Sequence, residues 1–442
     1  MKKQGLMVCV WIGVCLVPAW CFAGQKFEVS QFISPGICSD CHSEIYSQWE
    51  NSMHGLAHHD PLYQKVAKFF LTGLTHPGEV EESESCVKCH TPVGVLTGFP
   101  QKTSDDWSKT PEIATRGVQC DFCHSAVSAE KMYNNGMILS PGNGEDDPGV
   151  KRGPIKDPAP EFHEAEFSEF HTGAEICGTC HNVRHVAFGT DLETTYDEWK
   201  ASPYNAKDPA KRVVCQDCHM RQKPGVPATG STARPDNPGQ PSDIGPERDH
   251  VYTHYFVGAN SFVPARFGDT VKADLAAERL AHAAALALDT RNLKKGTLKV
   301  TVTNTGAGHK LPTGLTNARE MWLEVTVKRK SDGKLLYASG VPDDDGHLGE
   351  GTVIYHTVFG DGKGRPVDNI SLARKILKDR RIPPQKSVTE TFKLPAGIAA
   401  TDVVVSARLQ YRICSQHLLD LVLGKGALKV PVVTMAKAEE EL

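Results

Sequence analysis

The chain of 442 residues has no excess of positive charge, no Gly-rich phosphate cradle and almost no cysteine outside a few short segments. Each absence excludes something. With 49 Lys and Arg against 53 Asp and Glu, the formal charge of -4 leaves no basic footprint for nucleic acid. The missing phosphate cradle argues against a nucleotide site. The one extended apolar run, residues 6–18, is too short to span a bilayer. Lys2 and Lys3 precede it and Cys21-Phe22-Ala23 follows, so a secretory signal over residues 1–23, cleaved before Gly24, is expected. Bulky Trp20 speaks against a lipoprotein site at Cys21. No transmembrane segment is expected in the mature chain, which is therefore read as exported, either periplasmic or cell-surface. A disulfide framework is also excluded. Of 14 cysteines, three (Cys9, Cys15, Cys21) fall in the signal, ten fall in paired motifs, and Cys414 stands alone. Cys414, in Cys414-Ser-Gln-His417, is expected to be a buried structural thiol.

What is present is one pentapeptide repeated five times. Cys38-Ser-Asp-Cys41-His42 returns as Cys86-Val-Lys-Cys89-His90, Cys120-Asp-Phe-Cys123-His124, Cys177-Gly-Thr-Cys180-His181 and Cys215-Gln-Asp-Cys218-His219. Two thiols at this spacing reach the two vinyl groups of one porphyrin, and the next imidazole lies beneath the iron as its proximal ligand. Cys-x-x-Cys alone also serves zinc sites and redox disulfides. Chance does not explain five copies with the trailing histidine, since independent draws at this composition give on the order of 0.02 matches. Five covalent c-type haems are expected, held by these ten cysteines with His42, His90, His124, His181 and His219 as proximal ligands.

Composition divides the remainder. Residues 24–265 are rich in Pro, Gly, His and Cys with little sustained periodicity, which suits a domain of short helices and loops wrapped around porphyrin. Helical spacing appears at residues 43–54, 63–71 and 164–170. Two Pro- and Gly-rich segments, 137–160 and 223–246, are expected to be surface loops without chemistry of their own. Residues 266–289 are Ala- and Leu-rich and are read as a connecting helix. Strand-like alternation follows at 298–304, 320–329, 335–339, 353–359, 387–394, 403–412 and 428–434, which predicts an antiparallel β-sandwich of immunoglobulin-like type over 290–436 and a short tail over 437–442. The acidic clusters at 145–147 and 343–345 are read as solvated turns.

Five irons need distal partners. Only six methionines remain once Met1 and Met7 are set aside, whereas 14 of the 19 histidines lie outside the motifs, so bis-histidine ligation and low potentials are expected. The candidates are His54, at the end of the helix that follows the first motif, with His58 and His59 as competitors; His171, with His163 as its nearest rival; His250 and His254, which share a helical face; and His309, in the Gly-rich loop Gly306-Ala-Gly-His309-Lys-Leu-Pro312-Thr313-Gly314. His76, His185, His282, His347, His356 and His417 are taken as ordinary hydrogen-bonded or surface histidines.

The stretch Ile37-Cys38-Ser-Asp-Cys41-His42-Ser-Glu-Ile-Tyr46-Ser-Gln-Trp49-Glu-Asn-Ser52-Met-His54 resembles the opening haem segment of the multihaem cytochromes related to the tetrahaem cytochrome of ammonia oxidisers. In that family the Ser-x-His element supplies a distal ligand, which implies that role for His54. Glu175-Ile-Cys177-Gly-Thr-Cys180-His181-Asn, Thr194-Thr-Tyr196-Asp-Glu198-Trp199, Cys215-Gln-Asp-Cys218-His219-Met220 and the pairing of His254-Tyr-Phe-Val-Gly258 with the 306–314 loop resemble larger multihaem cytochromes of metal- and sulfur-respiring bacteria. The resemblance covers most of residues 35–320. It implies either an electron carrier or an enzyme acting on small nitrogen or sulfur oxyanions at an open-site haem. The Cys-x-x-Cys-Lys motif of ammonifying nitrite reductases is absent, and five motifs differ from the eight haems of hydroxylamine-oxidising and tetrathionate-reducing relatives. The balance favours a carrier in anaerobic-type respiration, with redox proteins, among them further multihaem cytochromes, as partners. The alternatives are a multihaem oxidoreductase and an interaction subunit of a respiratory complex. An oligomer is compatible with each.

Overall fold

A computed structural model of the protein describes residues 26–398 and 401–442; the expected signal, 1–23, lies outside the described residues. The N-terminal part is built from short helices and loops, and the C-terminal part from antiparallel sheets. The division follows from local chemistry. Each motif lies at or within a short helical turn, which carries the first cysteine, the second cysteine and the histidine to one side of the chain. The turns stay short: Pro92 follows the second motif directly, and Ala126–Ala129 is already strand just after the third. The helix Pro61–Phe70 is the longest that packs among the motifs, and its start is fixed by Asp60, which accepts hydrogen bonds from the amides of Leu62 (2.8 Å) and Tyr63 (3.2 Å).

The C-terminal part has a small sheet, in which Thr357–Gly360 lies between Pro366–Val367 and Lys375–Asp379, and two larger facing sheets. One has the strand Thr297–Asn304 between Ala284–Asp289 and Ser387–Lys393; the other runs Leu335–Ser339, Glu320–Arg329, Val403–Arg412, Val433–Glu441. Alternation explains the packing. Leu298, Val300 and Val302 of the first sheet and Met321, Leu323, Val325, Val327, Val405, Ala407 and Leu409 of the second are fully buried in one apolar cluster. Trp322 turns to the other face, where its indole N–H donates to the carbonyl of Gly340 at 2.8 Å.

Several expectations change. The connecting helix ends at Ala281, and Ala284–Asp289 is a strand paired with Thr297–Asn304. Helix propensity gives way there because pairing satisfies the backbone of a segment that must run beside a sheet. The expected tail is strand: Val433–Glu441 pairs along Val403–Arg412, its apolar positions alternating with exposed glutamates that suit a sheet edge. The expected helix at 164–170 is split into the strand Glu164–Phe167 and the turn Glu169–Thr172. A helix Gln416–Leu423 and the exposed strand Lys375–Asp379 were not anticipated.

The two parts share a wide contact. The side chain of Asn369 donates to the carbonyls of Phe70 and Thr72, Nε2 of His185 meets the carbonyl of Ser371, and Arg374 pairs with Glu79. Glu198 and Arg381 form an ion pair at 2.5 Å with both side chains buried.

Candidate functional site

All five motifs open onto one continuous cavity of about 1340 Å³, larger than the several hundred Å³ that a single small ligand fills. Both parts of the chain line it: the motif cysteines and histidines from the N-terminal part, and Gly306, His309, Thr313, Arg319, Tyr411 and Cys414 from the sheets. The ten motif thiols form no disulfides. They do meet across motifs. The Cys38 thiol lies near that of Cys120, Cys89 near Cys180 and Cys177 near Cys215, while Cys123 lies near both Cys177 and Cys180. The 177–181 segment therefore adjoins three others.

The motif histidines are oriented by a shared device. Nδ1 is taken by a backbone carbonyl in four of them: His42 by Pro241 (2.6 Å), His90 by Ala57 (3.2 Å), His124 by Arg152 (2.6 Å) and His219 by Val257 (2.6 Å). His181 instead has its Nδ1 3.5 Å from Oε1 of Glu193. Filling Nδ1 leaves Nε2 as the free nitrogen, the arrangement that a metal-bound imidazole requires. Two of the acceptors, Arg152 and Pro241, lie in the Pro- and Gly-rich segments expected to have no chemistry of their own.

A second imidazole faces four of the five. Ring centroids are 6.3 Å apart for His42 and His163, 6.2 Å for His181 and His54, 6.3 Å for His124 and His254, and 6.3 Å for His219 and His309, with interplanar angles of 27°, 36°, 25° and 19°. An iron about 2 Å from one nitrogen of each ring sets two centroids roughly 6.3 Å apart. The facing rings also have Nδ1 occupied in three cases: His163 by the carbonyl of Glu164, His254 by that of Tyr252 and His309 by that of Lys310. Burial holds His54 and His254 neutral, each with a pKa lowered to about 3, as a metal ligand must be. Burial alone would lower His181 too, but the Glu193 carboxylate overrides it and holds the imidazole up at about 9.

Of the sequence candidates, His54, His254 and His309 thus face motif histidines, and His171 and His250 do not serve in this way. His171 lies near His124, at 5.9 Å, but its Nε2 is spent on the carbonyl of Cys123 at 3.0 Å. His250 accepts the amide of Asn237 at Nδ1, which puts its proton on Nε2, and the segment around it is extended rather than helical. His58 bonds the hydroxyl of Thr91. His163, only a rival in the sequence, takes the place opposite His42. No local signal marks it, since it is remote in sequence both from His42 and from Pro241, whose carbonyl orients that ring. His90 differs from the rest: the ring stacked on it is Tyr63, at 3.7 Å and 4°. Among the described residues no second imidazole faces it.

His309 is held by its loop. Gly306 lies so close to the chain that a Cβ there would run into the carbonyl of His282. Glu198 accepts from the amide of Lys310 (3.0 Å) and the hydroxyl of Thr313 (3.1 Å), which fixes both sides of the turn.

The cavity fits porphyrin in three further respects. Its lining is mostly apolar, and it carries Lys88, Lys151, Arg248, Arg279 and Arg319, cations suited to propionates. The protonated Nε2 of His250 and Nε of Arg248 and Arg279 are buried with no partner in the protein, donors that propionate oxygens would satisfy. No group of three or more His, Cys, Asp or Glu side chains among the described residues is placed to hold a bare metal ion.

Residues 37–125 match the family described as Cytochrome c554 and c-prime. The fold is similar to that of a penta-heme cytochrome c552 from Thermochromatium tepidum, with a TM-score of 0.62 and 20% identity over 94% of this chain and 100% of that one. At that identity the likeness is one of fold. No curated protein gives a significant match. Together with the repeated attachment motifs, these matches support a multihaem c-type cytochrome, with covalently bound haem and an electron-transfer role.

Proposed function

We propose that the chain is an exported pentahaem cytochrome that relays electrons between redox proteins in anaerobic-type respiration. The observation that carries this reading is the four pairs of imidazoles at 6.2–6.3 Å, each joining a motif histidine to one from elsewhere in the chain. Cys38, Cys41, Cys86, Cys89, Cys120, Cys123, Cys177, Cys180, Cys215 and Cys218 hold the haems through thioethers. His42, His90, His124, His181 and His219 would hold the irons as proximal ligands, and His163, His254, His54 and His309 would be the second ligands at the first, third, fourth and fifth motifs. When bound, the haems supply reversible one-electron chemistry. The chain's own contribution is to bring the attachment segments together, to occupy Nδ1 of the motif histidines so that Nε2 is free, and to offer cations and unpartnered donors that propionates would meet. Two neutral imidazoles on one iron favour low potentials. Further multihaem cytochromes are fitting partners. Among the described residues no helix is long and apolar enough to cross a membrane. The test is a haem count by pyridine haemochrome and intact mass on the exported protein. Five haems per chain support the reading, and a count below five overturns it.

A second reading, an oxidoreductase acting on a small nitrogen or sulfur oxyanion, is favoured by His90, which meets Tyr63 rather than another imidazole. An iron on His90 with no second protein ligand can take an exogenous one. A high-spin EPR signal that nitrite or sulfite converts would support this reading; a signal insensitive to both would remove it.

A further inference from the structure

His181 is the one motif histidine whose Nδ1 faces a carboxylate. The other four meet backbone carbonyls, whereas Glu193 stands 3.5 Å from His181. The placement is built by the fold. Directly after the motif, Val183–Arg184 pairs antiparallel with Asp191–Glu193, and this hairpin returns Glu193 to the imidazole. Thr195 steadies the carboxylate by donating its hydroxyl to Oε1 at 3.2 Å, and the same hydroxyl shares a 2.7 Å contact with Thr313 of the His309 loop. The motif concerned is the one whose thiols adjoin three neighbours, through Cys89, Cys215 and Cys123.

A carboxylate is a stronger acceptor than a peptide carbonyl. Drawing the Nδ1 proton toward it makes the imidazole more basic, and a more basic ligand stabilises the ferric over the ferrous iron. We propose that Glu193 is a potential-setting residue, holding the haem of the Cys177–Cys180–His181 motif below the potential that a carbonyl-bound imidazole would give. The inference rests on the pentahaem reading above.

The test is a spectroelectrochemical titration of the full-length holoprotein with its haem count taken in parallel. Glu193→Gln, which keeps the size but weakens the acceptor, is expected to move one of the five midpoint components upward and to leave five low- or high-spin haems as in the parent. Thr195→Val leaves the carboxylate but removes a donor that competes for it, and is expected to move the same component downward. Glu193→Asp should fall between the parent and Glu193→Gln. Superimposable titrations at unchanged haem count would overturn the inference and leave the pentahaem reading standing, as would shifts of the same sign in Glu193→Gln and Thr195→Val. A parent haem count below five would overturn both.

Discussion

Which ring nitrogen the protein occupies separates the histidines more sharply than their position in the sequence. His171 and His254 both approach His124, yet His171 spends Nε2 on Cys123 while His254 spends Nδ1 on Tyr252. The second ring leaves Nε2 free, as the motif histidines do, whereas the nitrogen left unpartnered on His171 is Nδ1. His309→Ala is therefore expected to retain all five haems and convert one further haem to high spin, whereas His171→Ala leaves the spin state unchanged; EPR on the two variants checks this. The motif cysteines and histidines were legible in the sequence because their spacing is local and covalent. His309 was legible through its Gly-rich loop and His54 through its spacing from the first motif, although the helix expected to end at His54 stops at Trp49. His163 was not singled out, and neither were the carbonyls of Arg152 and Pro241, because their partners are set by long-range folding: His42 and Pro241 are 199 residues apart.

Between the two parts of the chain, one short element ties metal ligation to folding. The 306–314 loop is held by Glu198, and Glu198 is held by Arg381, an ion pair with both partners buried. Removing one partner of a buried pair leaves an uncompensated charge, and Arg381→Met is expected to cost about 3 kcal/mol in unfolding stability. The same variant should raise the high-spin fraction, because the loop that carries His309 loses its anchor. Equilibrium denaturation followed by the haem bands checks both effects. Acid acts on the same element. Hydrogen bonds and charge from Arg381 and Lys310 outweigh burial and hold Asp379 down at about 2, against an ordinary value of 3.8. A depressed carboxyl stabilises the fold above the unfolded value and loses that contribution as pH falls from about 4 toward 2. Asp379 lies on an exposed strand and its side chain keeps solvent access, so the contribution is about 1 kcal/mol once solvent screening is allowed for. Asp379→Asn is expected to remove this part of the acid dependence, read as a smaller difference in stability between pH 5 and pH 3.

The sheet strands were legible as alternation, down to the bounds Glu320–Arg329 and Val403–Arg412. The strand expected over 353–359 is broken between two sheets, as Ile354–Tyr355 and Thr357–Gly360, and two further departures, Ala284–Asp289 and Val433–Glu441, are strands whose own composition suggests helix or charged tail. Pairing with a neighbouring strand decided both, and pairing cannot be seen in a single segment.

For the molecule as a whole, the cavity explains why the N-terminal part has no large apolar core of its own. Its buried side chains fall into small clusters around Phe122, Phe70, Trp199 and Val263, separated by the space the motifs face. Such a part gains its packing from the cofactor, so a chain exported without haem attachment should remain unfolded over this region while the two facing sheets keep their own core. Limited proteolysis of apo-protein is expected to degrade the N-terminal part and spare a fragment beginning near residue 270; protection of the whole chain would contradict that division.

Four of the five motif histidines face a second imidazole and His90 does not, so four irons should be closed by a second histidine and one left open. EPR spin quantitation of the oxidised holoprotein, set against five haems by pyridine haemochrome, is the decisive measurement. Four low-spin haems and one high-spin haem per chain are expected. Five low-spin haems, or two or more high-spin haems, would refute this coordination scheme.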